Sequence, residues 1–220
     1  IVAVLMNGRP LSVNWLNENA DAILETCFAG TMTGDAVALV LFGEYNPSGK
    51  LPVTFPRTVG QVPVYYNHTN TGRPGNEKNR YTSKYLDLPL TPLYPFGYGL
   101  SYTTFNYSDV TLSNSKITNK DSLVVTVKVK NTGKYDGEEV VQLYVQDLVG
   151  SVTRPVKELK GFKKILLKSG EEKSVDFIIH EKDLRFTAAD MKFKSEPGLF
   201  KVYVGTNSVD VLENKFELIE

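Results

Sequence analysis

The first six residues, Ile1-Val2-Ala3-Val4-Leu5-Met6, are apolar without a break. A strand with one face in water would alternate apolar and polar side chains. An unbroken apolar run predicts a strand covered on both faces, as in a parallel sheet. Such a strand needs neighbours to satisfy its N–H and C=O groups. A chain opening on one is therefore expected to begin inside a domain whose other strands lie outside it. Residue 1 is Ile, and neither a basic stretch nor a cleavage site follows, so no signal peptide is read here.

Residues 1–65 have the texture of an α/β unit. Asn7-Gly8-Arg9-Pro10 reads as a turn. Leu16, Ala20, Ile23, Leu24 and Cys27 then recur at helical spacing, with Asn14 or Asn17 as the cap and Gly30 as the stop. That helix would bury Cys27 as a small hydrophobe and turn Glu18, Asp21 and Glu25 to solvent. A second helix is predicted from Thr33 to Phe42, with Ala36, Val37, Val40 and Leu41 on one face, Asp35 in its first turn and Gly43 after its end. Asn46-Pro47-Ser48-Gly49 marks a turn, and Leu51 to Pro56 a short extended stretch.

Residues 66–105 show little periodicity and are rich in Tyr, Pro, Gly and Asn. A loop of this length in a compact protein is functional or bridges domains, and its aromatic residues predict that it lies packed on a surface. Residues 106–220 alternate at period two in Leu123–Lys130, Val141–Gln146, Lys173–Ile178 and Leu199–Val204. Turn signals at Asn131-Thr132-Gly133, Lys168-Ser169-Gly170 and Glu196-Pro197-Gly198 separate them. This is the pattern of a β-sandwich, and a single cysteine leaves no bridge between sheets, which favours the fibronectin type III variety over the immunoglobulin one. The expected fold is thus α/β plus all-β: a partial α/β sandwich, the second half of a mostly parallel sheet, over 1–65; an aromatic-rich connecting loop over 66–105; and a fibronectin type III-like β-sandwich over 106–220.

Composition and motifs exclude several functions. Lys plus Arg equals Asp plus Glu at 25 each, so no nucleic-acid partner is expected. No apolar run is long enough for a membrane span. Gly43-Glu44-Tyr45-Asn46-Pro47-Ser48-Gly49-Lys50 fails as a phosphate loop, because its spacing is wrong and Leu51 follows the Lys. Gly97-Tyr98-Gly99 lacks the third glycine of a dinucleotide site. His68 and His180 have no His or Cys at ligand spacing, so neither a metal nor a cofactor is expected.

The candidate binding residues are Asn7, Arg9, Arg80, Tyr85 and Asp87. Asn7 and Arg9 follow the first strand, and ligands of open α/β sheets sit at the carboxyl ends of strands. Arg80, Tyr85 and Asp87 fall with Tyr81 and Lys84 in the aromatic loop. Rings beside Arg and Asp suit a sugar, with ring faces against its CH side and hydrogen bonds to its hydroxyls. Packing between domains is the competing reading of that cluster.

Two long runs carry a resemblance to a known family. Phe28-Ala29-Gly30 through Leu41-Phe42-Gly43-Glu44-Tyr45-Asn46-Pro47-Ser48-Gly49-Lys50-Leu51-Pro52-Val53-Thr54-Phe55-Pro56 resembles a hallmark of family three glycoside hydrolases. So does Pro92-Leu93-Tyr94-Pro95-Phe96-Gly97-Tyr98-Gly99-Leu100-Ser101-Tyr102-Thr103-Thr104-Phe105. Val64 to Pro74 is similar to the bacterial periplasmic β-glucosidase branch. The resemblance implies a parent with a (β/α)₈ barrel, an α/β sandwich and a fibronectin type III-like domain, of which this chain is similar to the last part only. It implies a retaining exo-β-glucosidase acting on a β-glucoside or oligosaccharide, periplasmic or secreted. The family's nucleophile is an Asp on the barrel. Its acid/base Glu lies on a loop before the strand that corresponds to Ile1–Met6. No residue here matches either, so no catalytic residue is assigned and the chain alone is expected to be inactive. The expected partners are the missing barrel and half-sandwich, or a second copy of the chain in a homodimer that covers the bare sheet. A carbohydrate-binding or spacer module is the alternative function.

Overall fold

The structure is a computed structural model describing residues 1–220. Its α/β part opens with strand β1 (Val2–Leu5), helix α1 (Asn14–Asn19), strand β2 (Ala22–Glu25) and helix α2 (Thr33–Leu41). β1 and β2 pair in parallel, Val2 opposite Ala22 through Leu5 opposite Glu25. The helix expected from Leu16 to Cys27 is therefore corrected: it ends at Asn19, and Ile23 and Leu24 are in a strand. The carbonyls of Ile1 and Leu5 explain why, since they accept from the N–H groups of Asp21 and Thr26 at 2.8 and 3.0 Å. A continuous helix would leave β1 with no partner for these groups.

Four further expectations change with it. Cys27 is exposed, at φ 50, not buried on a helix face. Gly30, at φ 79, turns the chain into α2 rather than ending a helix. Glu25 ends β2. Asn14 and Asn17 do not cap α1, whose N-cap is Val13. α2 lies where the sequence puts it, with Asp35 in its first turn.

This part has almost no core of its own. Neither helix has a buried residue. Ile1, Val2, Trp15, Phe28 and Phe42 are all more than half exposed, Phe42 at 83%. The two-sided burial expected of β1 is not met here, because β2 is the only strand beside it.

The β-sandwich has a core of its own. It contains β3 (Phe105–Tyr107), β4 (Thr111–Leu112), β5 (Lys116–Ile117), β6 (Ser122–Asn131), β7 (Gly137–Asp147), β8 (Glu158–Leu167), β9 (Glu172–His180), β10 (Phe186–Thr187), β11 (Phe193–Lys194), β12 (Gly198–Gly205) and β13 (Val211–Leu218). One sheet runs β5-β13-β12-β7-β8; in the other, β6 pairs with β3, β4 and β9. A cluster of 19 buried apolar residues fills the space between them, with Leu123, Val141 and Val202 fully enclosed and Phe200 stacked on Phe216 at 5.3 Å. The four strands read from alternation appear as β6, β7, β9 and β12. β8 and β13 carry no clean alternation. β8 is an edge strand whose Lys160, Lys163 and Lys164 guard it against pairing with another chain.

Candidate functional site

Two places merit construction from their residues: the seam between the two parts and the cleft at the carboxyl end of β1. The seam is built from segments 43–57 and 92–105, which prolines keep out of regular sheets. They bond to each other instead. Leu51 N donates to the Tyr98 carbonyl and Gly97 N to the Leu51 carbonyl, both at 2.8 Å; Phe55 N donates to Tyr94 and Leu93 N to Phe55, both at 2.9 Å. The paired segments then cover the outer side of β7.

That cover makes β7 buried on both faces. Val141, Leu143 and Val145 enter the sandwich core, while Gln142 and Tyr144, on the opposite face, are 3% and 0% exposed. Gln142 Nε2 donates to the Gly97 carbonyl at 3.1 Å and the Thr206 carbonyl at 2.6 Å, and its Oε1 accepts from Tyr144 Oη at 2.5 Å. Tyr66 lies over Phe96 at 4.4 Å and meets Tyr144 edge-on at 5.6 Å; Tyr94 stacks on Tyr98 at 5.3 Å. Burial pushes the Tyr144 and Tyr94 phenols up from their ordinary range.

Charges lock the same seam. Lys50 Nζ is 3.0 Å from Glu139 Oε2, with side chains 11% and 2% exposed. Lys50 also donates to the Gly99 carbonyl at 2.9 Å, and Tyr107 Oη to Glu139 Oε1 at 2.9 Å. Burial, reinforced by the Glu139 charge, drives the Tyr107 phenol far above its usual value. Nearer the surface, Glu138 receives Lys164 at 2.7 Å and the hydroxyls of Ser48 and Tyr45. These donors, Lys164 first, hold its carboxyl below the usual range. The seam also reaches α1: Tyr94 Oη donates to Asn17 Oδ1 at 2.8 Å, and Asn14 Nδ2 to the Arg57 carbonyl at 2.6 Å.

The second place is an open cleft of about 540 Å³ lined by Met6, Asn7, Gly8, Arg9, Leu11 and Phe28. Asn7 Nδ2 donates to Glu25 Oε2 at 3.2 Å, and Glu25 Oε1 accepts from Cys27 N at 2.9 Å. Asn7 and Arg9 are thus brought together, beside the exposed ring of Phe28. An amide, a guanidinium and a ring face are groups that hold a hydroxylated ligand. Burial and the neighbouring Glu25 push the Cys27 thiol up, away from the reactive thiolate. The lining contains no carboxylate.

The other three candidates lie apart from it in the chain. Arg80, Tyr85 and Asp87 are exposed, and no hydrogen bond or ion pair joins them to one another or to the cleft. Their loop is tied by its own backbone and threonines, with Thr82 Oγ1 donating to the Asn76 and Asn79 carbonyls at 3.0 and 2.9 Å. No three His, Cys, Asp or Glu side chains stand together as a metal site would require. Sequence reasoning did not single out Lys50, Glu139 or Gln142. Lys50 was visible within the first long run, but its partner on β7, well over eighty positions downstream, left no local signal.

Comparison with known proteins finds two family models that match the chain. Residues 1–102 match the glycosyl hydrolase family 3 C-terminal domain, and residues 139–208 match a fibronectin type III-like domain. The chain is 56% identical to a periplasmic β-glucosidase of Salmonella typhimurium over 100% of its own length and 29% of the relative's. It is 45% identical to a putative β-xylosidase of Formosa agariphila, over 99% of this chain and 28% of that one. The crystal structure of a β-glucosidase from Listeria innocua in complex with glucose superimposes with a TM-score of 0.95 at 46% identity, covering 100% of this chain and 31% of that one. The chain therefore spans somewhat under a third of the length of the relatives it matches.

Proposed function

This chain belongs to glycosyl hydrolase family 3, carrying its C-terminal domain and a fibronectin type III-like domain, and on that premise we propose that it is the non-catalytic part of a retaining exo-β-glucosidase. In this reading the rest of the enzyme supplies both reacting carboxylates and covers the exposed face of β1, α1 and α2. The chain contributes the Asn7–Arg9 edge to the substrate surface and braces it, through α1 and the seam, on the β-sandwich. The substrate is a terminal β-linked glucose, and the setting is periplasmic or secreted; periplasmic is the word in the name of the Salmonella relative, which is said of that protein.

One observation carries the proposal. Retaining hydrolysis needs two carboxyl groups about 5–5.5 Å apart, flanking the scissile bond. The cleft at the strand ends has none in its lining, and Glu25 beside it is held by Asn7 and Cys27. Without nucleophile and general acid, neither half of the reaction is accelerated. Incubating the chain alone with an aryl β-glucoside is expected to release no aglycone above the buffer rate. Turnover that disappears when a Glu of this chain is changed to Gln would overturn the reading.

A further inference from the structure

We propose that Asn7 is a site of spontaneous amide-to-acid conversion, and that this change loosens the carboxyl end of the β1–β2 pair. Asn7 is the one asparagine followed by glycine. Every other is followed by a side-chain-bearing residue or, at Asn46, by a proline that has no N–H to attack with. Gly8 lies beyond the end of β1, in a bend, and is exposed. Its N–H donates no backbone hydrogen bond, so the nucleophile is not engaged elsewhere. With no Cβ, Gly8 reaches backbone conformations closed to other residues. The fold also favours keeping glycine there. A Cβ on Gly8 would lie 2.5 Å from Cε2 of Phe28 in the ring's present position.

The chemistry needs only water. The Gly8 nitrogen attacks Asn7 Cγ and gives its proton to solvent. The Cγ–Nδ2 bond breaks, and Nδ2 takes up a proton and leaves as ammonia. The cyclic imide then adds water at either carbonyl, opening to aspartate or to isoaspartate. In the amide form Asn7 Nδ2 donates to Glu25 Oε2 at 3.2 Å. In the acid form that donor is gone and a carboxylate faces a carboxylate, a like-charge pair at close range. Glu25 is also the register partner of Leu5, so the repulsion acts directly on the end of the strand pair. The proposal requires nothing from a bound sugar.

The test is incubation of the whole chain at mildly alkaline pH, with peptide mapping by mass spectrometry and deuterium uptake read in parallel. Asn7 is expected to lose its amide before the exposed Asn76 and Asn79, and uptake at Ala22–Glu25 to rise in step. Asn7→Gln, which keeps an amide but lengthens the side chain, abolishes both changes. Asn7→Asp shows the raised uptake without incubation. Retention of the Asn7 amide for as long as those of Asn76 and Asn79 would overturn the proposal. So would an Asn7→Asp chain whose uptake at Ala22–Glu25 equals that of the parent.

Discussion

Changing Lys50 to Met is expected to lower the stability of the chain by about 3–5 kcal/mol, the cost of stranding one member of a buried ion pair. The magnitude depends on burial. An exposed pair would cost about 0–1 kcal/mol. Here Glu139 is 2% exposed and Lys50 11%. Methionine fills much of the volume of the lysine stem but leaves the buried Glu139 carboxyl with Tyr107 Oη as its remaining partner. Lys50→Met combined with Glu139→Gln removes the stranded charge and keeps an oxygen for Tyr107 to donate to. The double variant should recover a large part of the loss, since replacing both members of a buried pair is far less damaging than replacing one. Urea unfolding with the slope held common reads the difference. A single variant within about 1 kcal/mol of the parent would mean that water reaches the pair and that it behaves as a surface contact.

The second large effect is expected at Gly97. Its φ of +81 already disfavours a side chain, at about 1–2 kcal/mol. Space is the larger issue. An added Cβ would stand 2.1 Å from Gln142 Oε1 and 2.8 Å from its Cδ. Gln142 has nowhere to go, because it bonds Gly97, Thr206 and Tyr144 together. Forcing a methyl into such packing costs about 1–3 kcal/mol more. Gly43 is the control. Its φ of +79 is nearly the same, yet nothing lies within 4 Å of an added Cβ. Gly97→Ala should therefore lower the urea midpoint well beyond Gly43→Ala. Equal shifts would show that backbone conformation alone matters at Gly97 and that the seam yields freely.

The contrast between these residues also shows what could be read from the chain directly. Alternation in Leu123–Lys130 and Leu199–Val204 predicts strands because one face of each meets a core and the other meets water. Val141–Gln146 alternates in the same way and is indeed a strand, but the pattern misleads about its burial. Gln142 and Tyr144 read as a solvent face and are enclosed, because segments remote in sequence cover them. Edge strand β8 escapes notice because lysines interrupt its pattern. The helix expected over Leu16–Cys27 fails for a related reason. Five apolar residues at helical spacing are also what a short helix followed by a strand can present, and the carbonyls of β1 decide between them.

At the candidate site, the proximity of Asn7 and Arg9 follows from their place just past a strand. The pairing of Asn7 with Glu25 does not, since it depends on β2 running parallel to β1. The two long runs that carry the family resemblance were legible as motifs, while their role was not. Lys50 and Gly97 in them meet Glu139 and Gln142 of β7, while Phe28 stands at the cleft. A residue-by-residue signature of that kind marks a demanding fit as readily as it marks chemistry.

The central claim is that these runs belong energetically to the β-sandwich, while β1, α1, β2 and α2 form an exposed face with almost no core of its own. Native-state hydrogen exchange tests it most directly, because each amide reports the free energy of the opening that exposes it. The amides of Leu51, Phe55 and Gly97 should exchange only through the same global opening as Val141 and Leu143 on β7, and those of Ile23 and Leu24 through a much smaller local one. If Leu51, Phe55 and Gly97 instead exchange as readily as Ile23 and Leu24, the seam does not hold and the account is wrong.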